Sequence, residues 1–172
     1  MKNDSNFNEA MAELIEAWQH YLHSFDDWRD IVGQSEPKKN LCGDIYLPPD
    51  PLCRENESFA VADMSKIEFA HPHYHQETEI YFILQGKGLV VVGGEEHYVE
   101  KNSVVIIPGN IAHFTIPLEE LVLAVVGTPP YNGEYALALD QDNPLVKYNQ
   151  TQFSRHLHAK NEKNQTYLEL RL

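Results

Sequence analysis

Four side chains able to bind a metal ion recur at short spacing in the middle of this 172-residue chain. His73 and His75 alternate, Glu79 follows them closely, and His113 comes after the turn sequence Pro-Gly-Asn. Residues i and i+2 of an extended strand face the same side, so the two nearby histidines can point at one position. Three imidazoles and one carboxylate suit a divalent transition metal, namely iron, manganese, zinc, nickel or copper. The spacing therefore predicts one metal site built from these four side chains.

The residues around this set have the pattern of an all-β domain. Between about 57 and 140, short apolar runs alternate with Gly, Pro and Asn turns, which is typical of a sandwich or barrel. Gly86-Lys87-Gly88 and Gly93-Gly94 are predicted to be hairpin turns. The predicted strands are Phe59–Met64, Ile67–His71, Thr78–Leu84, Leu89–Val92, His97–Glu100, Val104–Ile107, His113–Ile116, Leu121–Val126 and Tyr135–Leu139.

Residues 1–33 are predicted to be a helical segment. A helix over 6–23 has Asn6 as its N-cap, and a shorter helix over Ser24–Val32 begins with the pair Ser24 and Asp27 and ends at Gly33. The first helix carries one apolar stripe, made of Phe7, Met11, Leu14, Ile15, Trp18 and Leu22. This stripe predicts that the helix packs against the domain or against a second subunit.

The segments on either side of the predicted barrel differ from it in composition. Residues 34–56 contain four prolines, which exclude a helix interior or a central strand and predict an arm or linker. Residues 141–172 form a polar extension whose final residues alternate like one more strand. The predicted organisation is therefore a helical segment (1–33), an arm (34–56), a barrel (57–140) and an extension (141–172).

Charge and cysteine content exclude several classes of function. The chain has 13 basic and 26 acidic residues, for a formal net charge of −13, which argues against nucleic acid and anionic membranes as partners. No apolar run reaches membrane-span length, and no signal peptide is visible at the start. Cys42 and Cys53 are predicted to be reduced thiols, which favours a cytoplasmic location.

Two motifs in this chain resemble those of the cupin superfamily. His73-x-His75-x3-Glu79-x6-Gly86 resembles the first motif, and Asn102-x5-Pro108-x-Asn110-x2-His113 resembles the second. The resemblance implies a mainly β fold, a single cupin-type double-stranded β-helix or jelly-roll barrel, preceded here by an N-terminal helical segment. It also implies that His73, His75, Glu79 and His113 bind the metal, and that the protein is a homodimer, since cupin barrels often dimerise.

This chain departs from the family pattern at three glycine positions, which are occupied by Ile67, Asn102 and Asn110. Asparagine enters the left-handed backbone region more readily than other residues with a side chain. Both turns of the second motif are therefore expected to form, and the Ile67 change is expected to affect only the entry to the first motif.

Other polar residues near the motifs have either structural or functional interpretations. Tyr81 shares the strand parity of Glu79 and is predicted to face the cavity, either as packing or as a catalytic acid or base. Glu77 could replace Glu79 as a ligand, but only Glu79 has the family spacing to Gly86. His71 is expected to touch substrate, to hydrogen-bond a ligand or to lie at the rim, and Thr115 to line the pocket. His20, His23, His97, His156 and His158 are interpreted as surface positions.

The resemblance and the predicted site together favour a metal-dependent enzyme, a dioxygenase, an isomerase or a lyase, acting on a small oxygen-rich and anionic metabolite. The alternative is a non-catalytic cupin that binds a metal or a small molecule, such as a sensor. The fold alone does not decide between them, because function depends on the site.

Overall fold

The structure, a computed structural model, describes residues 3–40, 42–49, 51–52 and 55–131. Two helices precede a series of short strands in this part of the chain. The helices are α1 (Asn3–Leu22) and α2 (Trp28–Val32). The strands are β1 (Lys38–Asn40), β2 (Gly43–Tyr46), β3 (Ser58–Asp63), β4 (Thr78–Gln85), β5 (Lys87–Val92), β6 (Glu95–Glu100), β7 (Val104–Ile107), β8 (His113–Pro117) and β9 (Val122–Thr128).

The strands of the described residues form two antiparallel sheets. The larger sheet has the order β1-β2-β3-β9-β4-β7, and the smaller has the order β6-β5-β8. Every strand pairing is antiparallel. The mainly β jelly-roll architecture with a helical segment before it, predicted from the sequence, is thus confirmed.

One predicted strand, Ile67–His71, is wrong. The segment forms no ladder with β8: the Ala70 N–H donates a single bond to the Thr115 carbonyl at 2.8 Å, and the nearby bridge between His73 and His113 is isolated. Pro72 has no N–H and cannot continue a ladder. Tyr135–Leu139 and the final predicted strand lie outside the described residues.

Of the two hairpins predicted at glycine turns, one forms and the other does not. Gly93-Gly94 joins β5 to β6, with Val92 paired to Glu95, as expected for a two-residue hairpin. The hairpin predicted at Gly86-Lys87-Gly88 is wrong, because β4 and β5 belong to different sheets and Gly86 is a corner between them. Gly86 has φ +75°, and a β-carbon there would collide with the carbonyl of Glu120.

The helical segment forms with shifted boundaries. Helix α1 begins at Asn3, so Asn6 is not its N-cap. The second helix is shorter than predicted: Asp27, in an extended conformation, is the N-cap and accepts the Arg29 N–H, whereas the Ser24 hydroxyl donates back to Tyr21 at 2.6 Å. Gly33 ends this helix as expected. None of the helices in the described part of the chain has the length and apolarity to cross a membrane.

The Pro-rich segment expected to be an arm contributes β1 and β2 to the larger sheet. Its prolines flank the two strands instead of interrupting them, with Pro37 immediately before β1 and Pro48 after β2. β1 is an edge strand, where three residues are enough to pair. This hairpin extends the sheet that carries Glu79 by two strands.

Helix α1 covers the outer face of the larger sheet, opposite the cavity. Trp18 is fully buried and stacks on Phe59, with ring centroids 4.6 Å apart. Leu14 and Leu22 join the same cluster with residues of three strands, namely Phe59, Val61, Ile80, Phe82, Val122, Ala124 and Val126. Met11, Leu14, Ile15, Trp18 and Leu22 of the predicted apolar stripe therefore pack on the barrel itself, while the side chain of Phe7 lies outside what the structure describes.

We expect Trp18→Ala to lower the free energy of unfolding by about 3–5 kcal/mol, the usual cost of truncating a buried tryptophan. Trp18 also donates its indole N–H to Glu57 Oε2 at 2.8 Å. The matched variant Trp18→Phe keeps an aromatic ring and loses this bond, so its cost should be smaller, about 1 kcal/mol. Urea unfolding measures the free energy lost in each of the two variants. A Trp18→Ala protein that unfolds at the parental urea concentration would mean that α1 adds nothing to the fold.

Candidate metal centre

Three pieces of backbone bring the predicted ligand residues together. Glu79 is the second residue of β4, and His113 is the first of β8, as the sequence predicted. His73 and His75 lie on an extended segment before β4 rather than within a strand. His73 and His113 exchange backbone N–H to carbonyl bonds of 3.0 and 2.9 Å, which hold this segment against β8.

The four predicted side chains converge. One ligand atom from each of His73, His75, Glu79 and His113 lies within 4.8 Å of every other. Oε2 of Glu79 is 3.4 Å from Nε2 of His75 and 3.3 Å from Nε2 of His113. All three histidines are buried. The set predicted from sequence spacing is therefore a single cluster in the folded chain.

The backbone fixes which nitrogen of each imidazole faces the cluster. Nδ1 of His73 lies 2.7 Å from the carbonyl of His71, Nδ1 of His113 lies 2.9 Å from that of Ile111, and Nδ1 of His75 lies 3.1 Å from that of Glu77. A carbonyl can only accept, so each Nδ1 must carry the proton. In the neutral rings Nε2 then keeps its lone pair, which is the arrangement that metal-binding histidines use.

Several atoms that face the centre of the cluster form no hydrogen bond within the described part of the chain. Nε2 of His75, Nε2 of His113 and Oε2 of Glu79 are buried there without a hydrogen-bond partner. Buried polar atoms are normally satisfied, so atoms left without partners need an explanation. Imidazole nitrogens and a carboxylate oxygen facing one another are the donor set of a divalent transition metal. The residues present therefore fit such an ion.

The charge states of the side chains in the cluster favour the binding of a cation. Burial, with help from His113, lowers the pKa of His73 to about 4, so this ring is neutral at pH 7. Burial opposes charge on Glu79 as well, but His113 and His75 hold the pKa of its carboxyl well below the usual range. Burial also disfavours charge on His75, but the carboxylates of Glu79 and Glu77 outweigh it and raise its pKa. The site thus combines one carboxylate with imidazoles able to give up a proton.

Glu77 and His71, the two other candidates near the motif, lie outside the cluster and contact its histidines. Glu77 is buried on the far side of His75, where its Oε2 lies 3.3 Å from Nδ1 of that ring. Its carboxylate therefore orients His75, while Glu79 occupies the inward position. The side chain of His71 is exposed, with its ring 5.1 Å from that of Phe69. His71 contributes to the cluster through its backbone carbonyl, the acceptor for His73.

The turns that precede the strands of the second motif form as expected. Asn102 has φ +75° and Asn110 has φ +63°, so both asparagines adopt the left-handed conformation. The N–H of Asn110 donates to the carbonyl of His75 at 2.6 Å. A β-carbon on Gly109 would collide with the Gln76 carbonyl, so the 108–110 turn packs tightly on the segment that carries His75.

A cavity of about 420 Å³ opens beside the cluster, within the size range of small-molecule sites. His73, Glu79 and Tyr81 border its inner end. Tyr81 is buried, and its ring centroid is 6.4 Å from that of His113. The cavity orientation predicted for Tyr81 is thus seen, whereas its catalytic role stays a prediction. Thr115 is buried on the strand of His113.

Sequence reasoning missed several residues that border this cavity. Tyr131 follows β9, and its ring centroid lies 6.5 Å from that of His75. Cys42 joins β1 to β2, and burial together with the charge of Glu79 raises its pKa to about 11, so it is a neutral thiol. Lys38 and Lys39 come from β1. None of these lies in a motif: the pairing of β1 and β2 with β3 brings Lys38, Lys39 and Cys42 to the cavity, and Tyr131 is held there by its N–H bond to the Ser58 hydroxyl at 3.2 Å.

The remaining histidines have the surface positions predicted for them, where they are described. His20, His23 and His97 are exposed. His156 and His158 lie outside the described residues, as does Cys53. No second group of His, Cys, Asp and Glu with the geometry of a metal site occurs within the ranges that the structure describes.

The family comparison agrees with this geometry. Residues 61–124 match the protein-family model described as a cupin domain. The chain contains a cupin domain. The match runs from within β3 to within β9, includes all four converging side chains, and leaves the helices and the β1–β2 hairpin outside it.

Curated relatives of this cupin chain match it over part of their length. An uncharacterized protein of Streptomyces coelicolor is 39% identical over 57 residues, which are 33% of this chain and 54% of the relative. An uncharacterized protein of Methanocaldococcus jannaschii is 31% identical over 77 residues, which are 44% of this chain and 61% of the relative. The chain thus spans between about half and three fifths of these relatives.

Solved cupin structures share the fold at low identity. An RmlC-like cupin from Shewanella frigidimarina has a TM-score of 0.52 at 13% identity, covering 58% of this chain and 87% of that one. A predicted oxalate decarboxylase from Thermotoga maritima has a TM-score of 0.51 at 16% identity, covering 57% and 96%. Streptomyces Pac13 with uridine has a TM-score of 0.51 at 12% identity, covering 59% and 82%.

Proposed function

We propose that this cupin is a metal-dependent enzyme, a dioxygenase, an isomerase or a lyase, that acts on a small oxygen-rich, anionic metabolite. The observation that carries the proposal is the set of buried inward atoms of His75, His113 and Glu79 that have no hydrogen-bond partner, in a cluster that borders a cavity through His73 and Glu79. Structurally similar proteins support an enzymatic role, since Pac13 is described as a nucleoside dehydratase.

In this proposal His73, His75, Glu79 and His113 hold one divalent transition metal. Their Nδ1 protons remain on backbone carbonyls, which keeps Nε2 of each ring directed inward. When bound, the metal supplies Lewis-acid stabilisation of negative charge on a substrate oxygen. Only one of the four ligands is an anion, so a divalent ion leaves the centre with net positive charge, which favours an anionic substrate.

The chain's own groups have separate tasks in this scheme. Glu77 keeps the His75 ring oriented through the 3.3 Å contact with its Nδ1. Tyr81 is placed beside the cluster, where its hydroxyl can donate a proton to the substrate or accept one from it. Apolar side chains such as Ala62, Leu123 and Val125 form much of the cavity wall and keep water away from the reacting group.

The experiment begins with protein purified without added metal or chelator. Elemental analysis measures bound metal, and mass spectrometry identifies any small molecule that purifies with the protein. The stripped protein is then reloaded separately with Fe²⁺, Mn²⁺, Ni²⁺, Cu²⁺ or Zn²⁺ and incubated with hydroxy acids, oxo acids and sugar acids. Oxygen uptake reports dioxygenation, while NMR of the products reports isomerisation or elimination.

We expect turnover with at least one metal, and its loss both on chelation and in His113→Ala. His97→Ala removes an exposed histidine of β6 and should behave like the parent. Metal binding without turnover on any substrate class would favour the alternative, a non-catalytic binding or sensor module. A folded protein that takes up no transition metal would contradict the site itself.

The small-molecule partner belongs to this proposal. The cytoplasmic location, the homodimer and the absence of nucleic-acid partners, all predicted from the sequence, stay predictions. Size-exclusion chromatography with light scattering tests the dimer directly.

A further inference from the structure

A positively charged residue lies at the end of the cavity away from the candidate metal centre. It belongs to the β1–β2 hairpin, which is outside residues 61–124 that match the family. Lys38 and Lys39 of β1 both border the cavity, together with apolar residues of neighbouring strands. The hairpin therefore adds to the pocket a feature that the family match does not contain.

Strand register identifies which lysine faces inward. Lys38 pairs with Ile45, Ile45 pairs with Ala62, and Ala62 pairs with Leu123. Directly paired residues in antiparallel strands share a face, and Ile45, Ala62 and Leu123 all border the cavity. Lys38 therefore ends a row of side chains on the concave face.

The neighbouring lysine belongs to the opposite row. Lys39 pairs with Asp44, Asp44 with Asp63, and Asp63 with Val122. Val122 is part of the cluster under α1 on the outer face. Of the two lysines, Lys38 is the one whose strand position directs it toward the cavity.

The charge of Lys38 is available to a ligand. Two other lysines of the barrel are engaged: Lys66 pairs with Asp44 at 3.0 Å and Lys87 with Glu119 at 3.1 Å. In the ranges that the structure describes, no carboxylate forms an ion pair with Lys38. In a chain of net charge −13, an unpaired ammonium at the mouth of a cavity favours an anionic ligand group.

We propose that Lys38 determines substrate specificity by binding a second anionic group, a carboxylate, at the opposite end of the molecule from the end held at the metal. The inference rests on the proposed function, since it assumes that one end of the substrate binds at the four-residue cluster. It assigns the substrate to elongated acids with an apolar middle section and an anion at each end.

The dimensions of the sheet support an elongated ligand. Glu79 lies on β4 and Lys38 on β1, separated by β9, β3 and β2. The row of Lys38 meets β4 at Ile83, four residues beyond Glu79. Four steps of about 4.8 Å across the sheet and four residues of about 3.4 Å along it give a diagonal of about 23 Å on a flat sheet, which curvature and the lysine side chain shorten. Ala60, Ala62 and Val125 border the cavity on this diagonal between the two ends. This apolar floor matches a hydrocarbon chain better than a compact polar sugar.

The test compares two ligands that differ only at the far end. Both are straight-chain 2-oxo acids of equal length, one ending in a methyl group and the other in a carboxylate, and several lengths are used. Isothermal titration calorimetry measures their binding to the stripped protein loaded with Zn²⁺, which has no redox chemistry. The proteins are the parent, Lys38→Met and the control Lys101→Met, which removes an exposed lysine from the turn between β6 and β7.

We expect the carboxylate-ended acid to bind the parent about tenfold more tightly than its methyl-ended twin, the effect of one charge-assisted contact. Lys38→Met should remove this preference and leave the affinity of the methyl-ended acid unchanged, while Lys101→Met should keep the preference. Added salt should reduce the preference in the parent.

Equal binding of the two acids by the parent, or a preference that survives in Lys38→Met, would overturn the distal site while leaving the metal centre intact. A protein that takes up no Zn²⁺, or one whose Zn²⁺ form binds neither acid, would contradict the proposed function and the inference with it. Melting temperatures check that Lys38→Met is folded, which is expected because Lys38 is exposed on an edge strand.

Discussion

Replacing Glu79 by glutamine is expected to lower the affinity for a divalent transition metal by more than about 100-fold. Loss of a residue that merely supports a ligand costs about 10–100-fold, and Glu79 provides an inward oxygen itself. Its Oε2 lies 3.3–3.4 Å from Nε2 of two histidines, and it carries the negative charge of the cluster. Glutamine keeps the shape of the side chain but removes that charge, so the effect reports ligation rather than packing.

Two measurements separate metal loss from unfolding. Elemental analysis at limiting metal gives occupancy, and thermal unfolding with and without chelator gives the linked stability. At a free metal concentration of one hundred times Kd, binding to the folded state adds about 2.7 kcal/mol. Chelator should therefore lower the melting temperature of the parent and leave that of Glu79→Gln unchanged.

The control for this prediction is Glu100→Gln, which makes the same chemical change on an exposed residue of β6. It should retain parental occupancy and the parental response to chelator. If Glu79→Gln also retained parental occupancy, its carboxylate would not be a ligand, and the histidines alone would have to account for any metal found.

The sequence predicted the cluster because its spacing encodes local geometry. His73 and His75 alternate on an extended segment, and that alternation holds although the segment forms only one bridge and not a strand. Asparagine can replace glycine at a left-handed position, and Asn102 and Asn110 both have positive φ. Each of these features depends on only a few neighbouring residues, so it can be predicted from a single sequence.

The sequence did not predict the hairpin that carries Lys38 and Cys42. β1 has three residues and β2 has four, too few for alternation to distinguish strands from a loop. Prolines around them suggested an arm, since proline positions alone do not distinguish a flanked strand from an interrupted one. Both strands pair because β3 offers an edge, a long-range condition that composition cannot reveal. No local feature of the sequence therefore predicts the residues at the distal end of the cavity.

The second large effect is expected on turnover, in the variant Tyr81→Phe. This substitution removes one oxygen, the tyrosine hydroxyl, from the cavity wall. We expect turnover to fall by about 10²–10⁴, the range for loss of a general acid or base, with metal content unchanged. Tyr81 lies two residues after Glu79 on β4, shares its face, and is buried beside His113. This position allows its hydroxyl to exchange a proton with a substrate held at the cluster.

Packing is the competing role of Tyr81, and the two roles differ in what they change. A packing residue should alter melting temperature more than turnover when it is trimmed, whereas phenylalanine preserves the ring and its contacts. Tyr98→Phe makes the same change on a tyrosine of β6 that is 70% exposed, and it should match the parent in turnover. Parental turnover in Tyr81→Phe, measured with the metal and substrate that support activity, would reduce Tyr81 to part of the cavity wall. A fall in turnover with parental occupancy and melting temperature would instead assign the proton transfer to its hydroxyl, because nothing else differs between the two proteins.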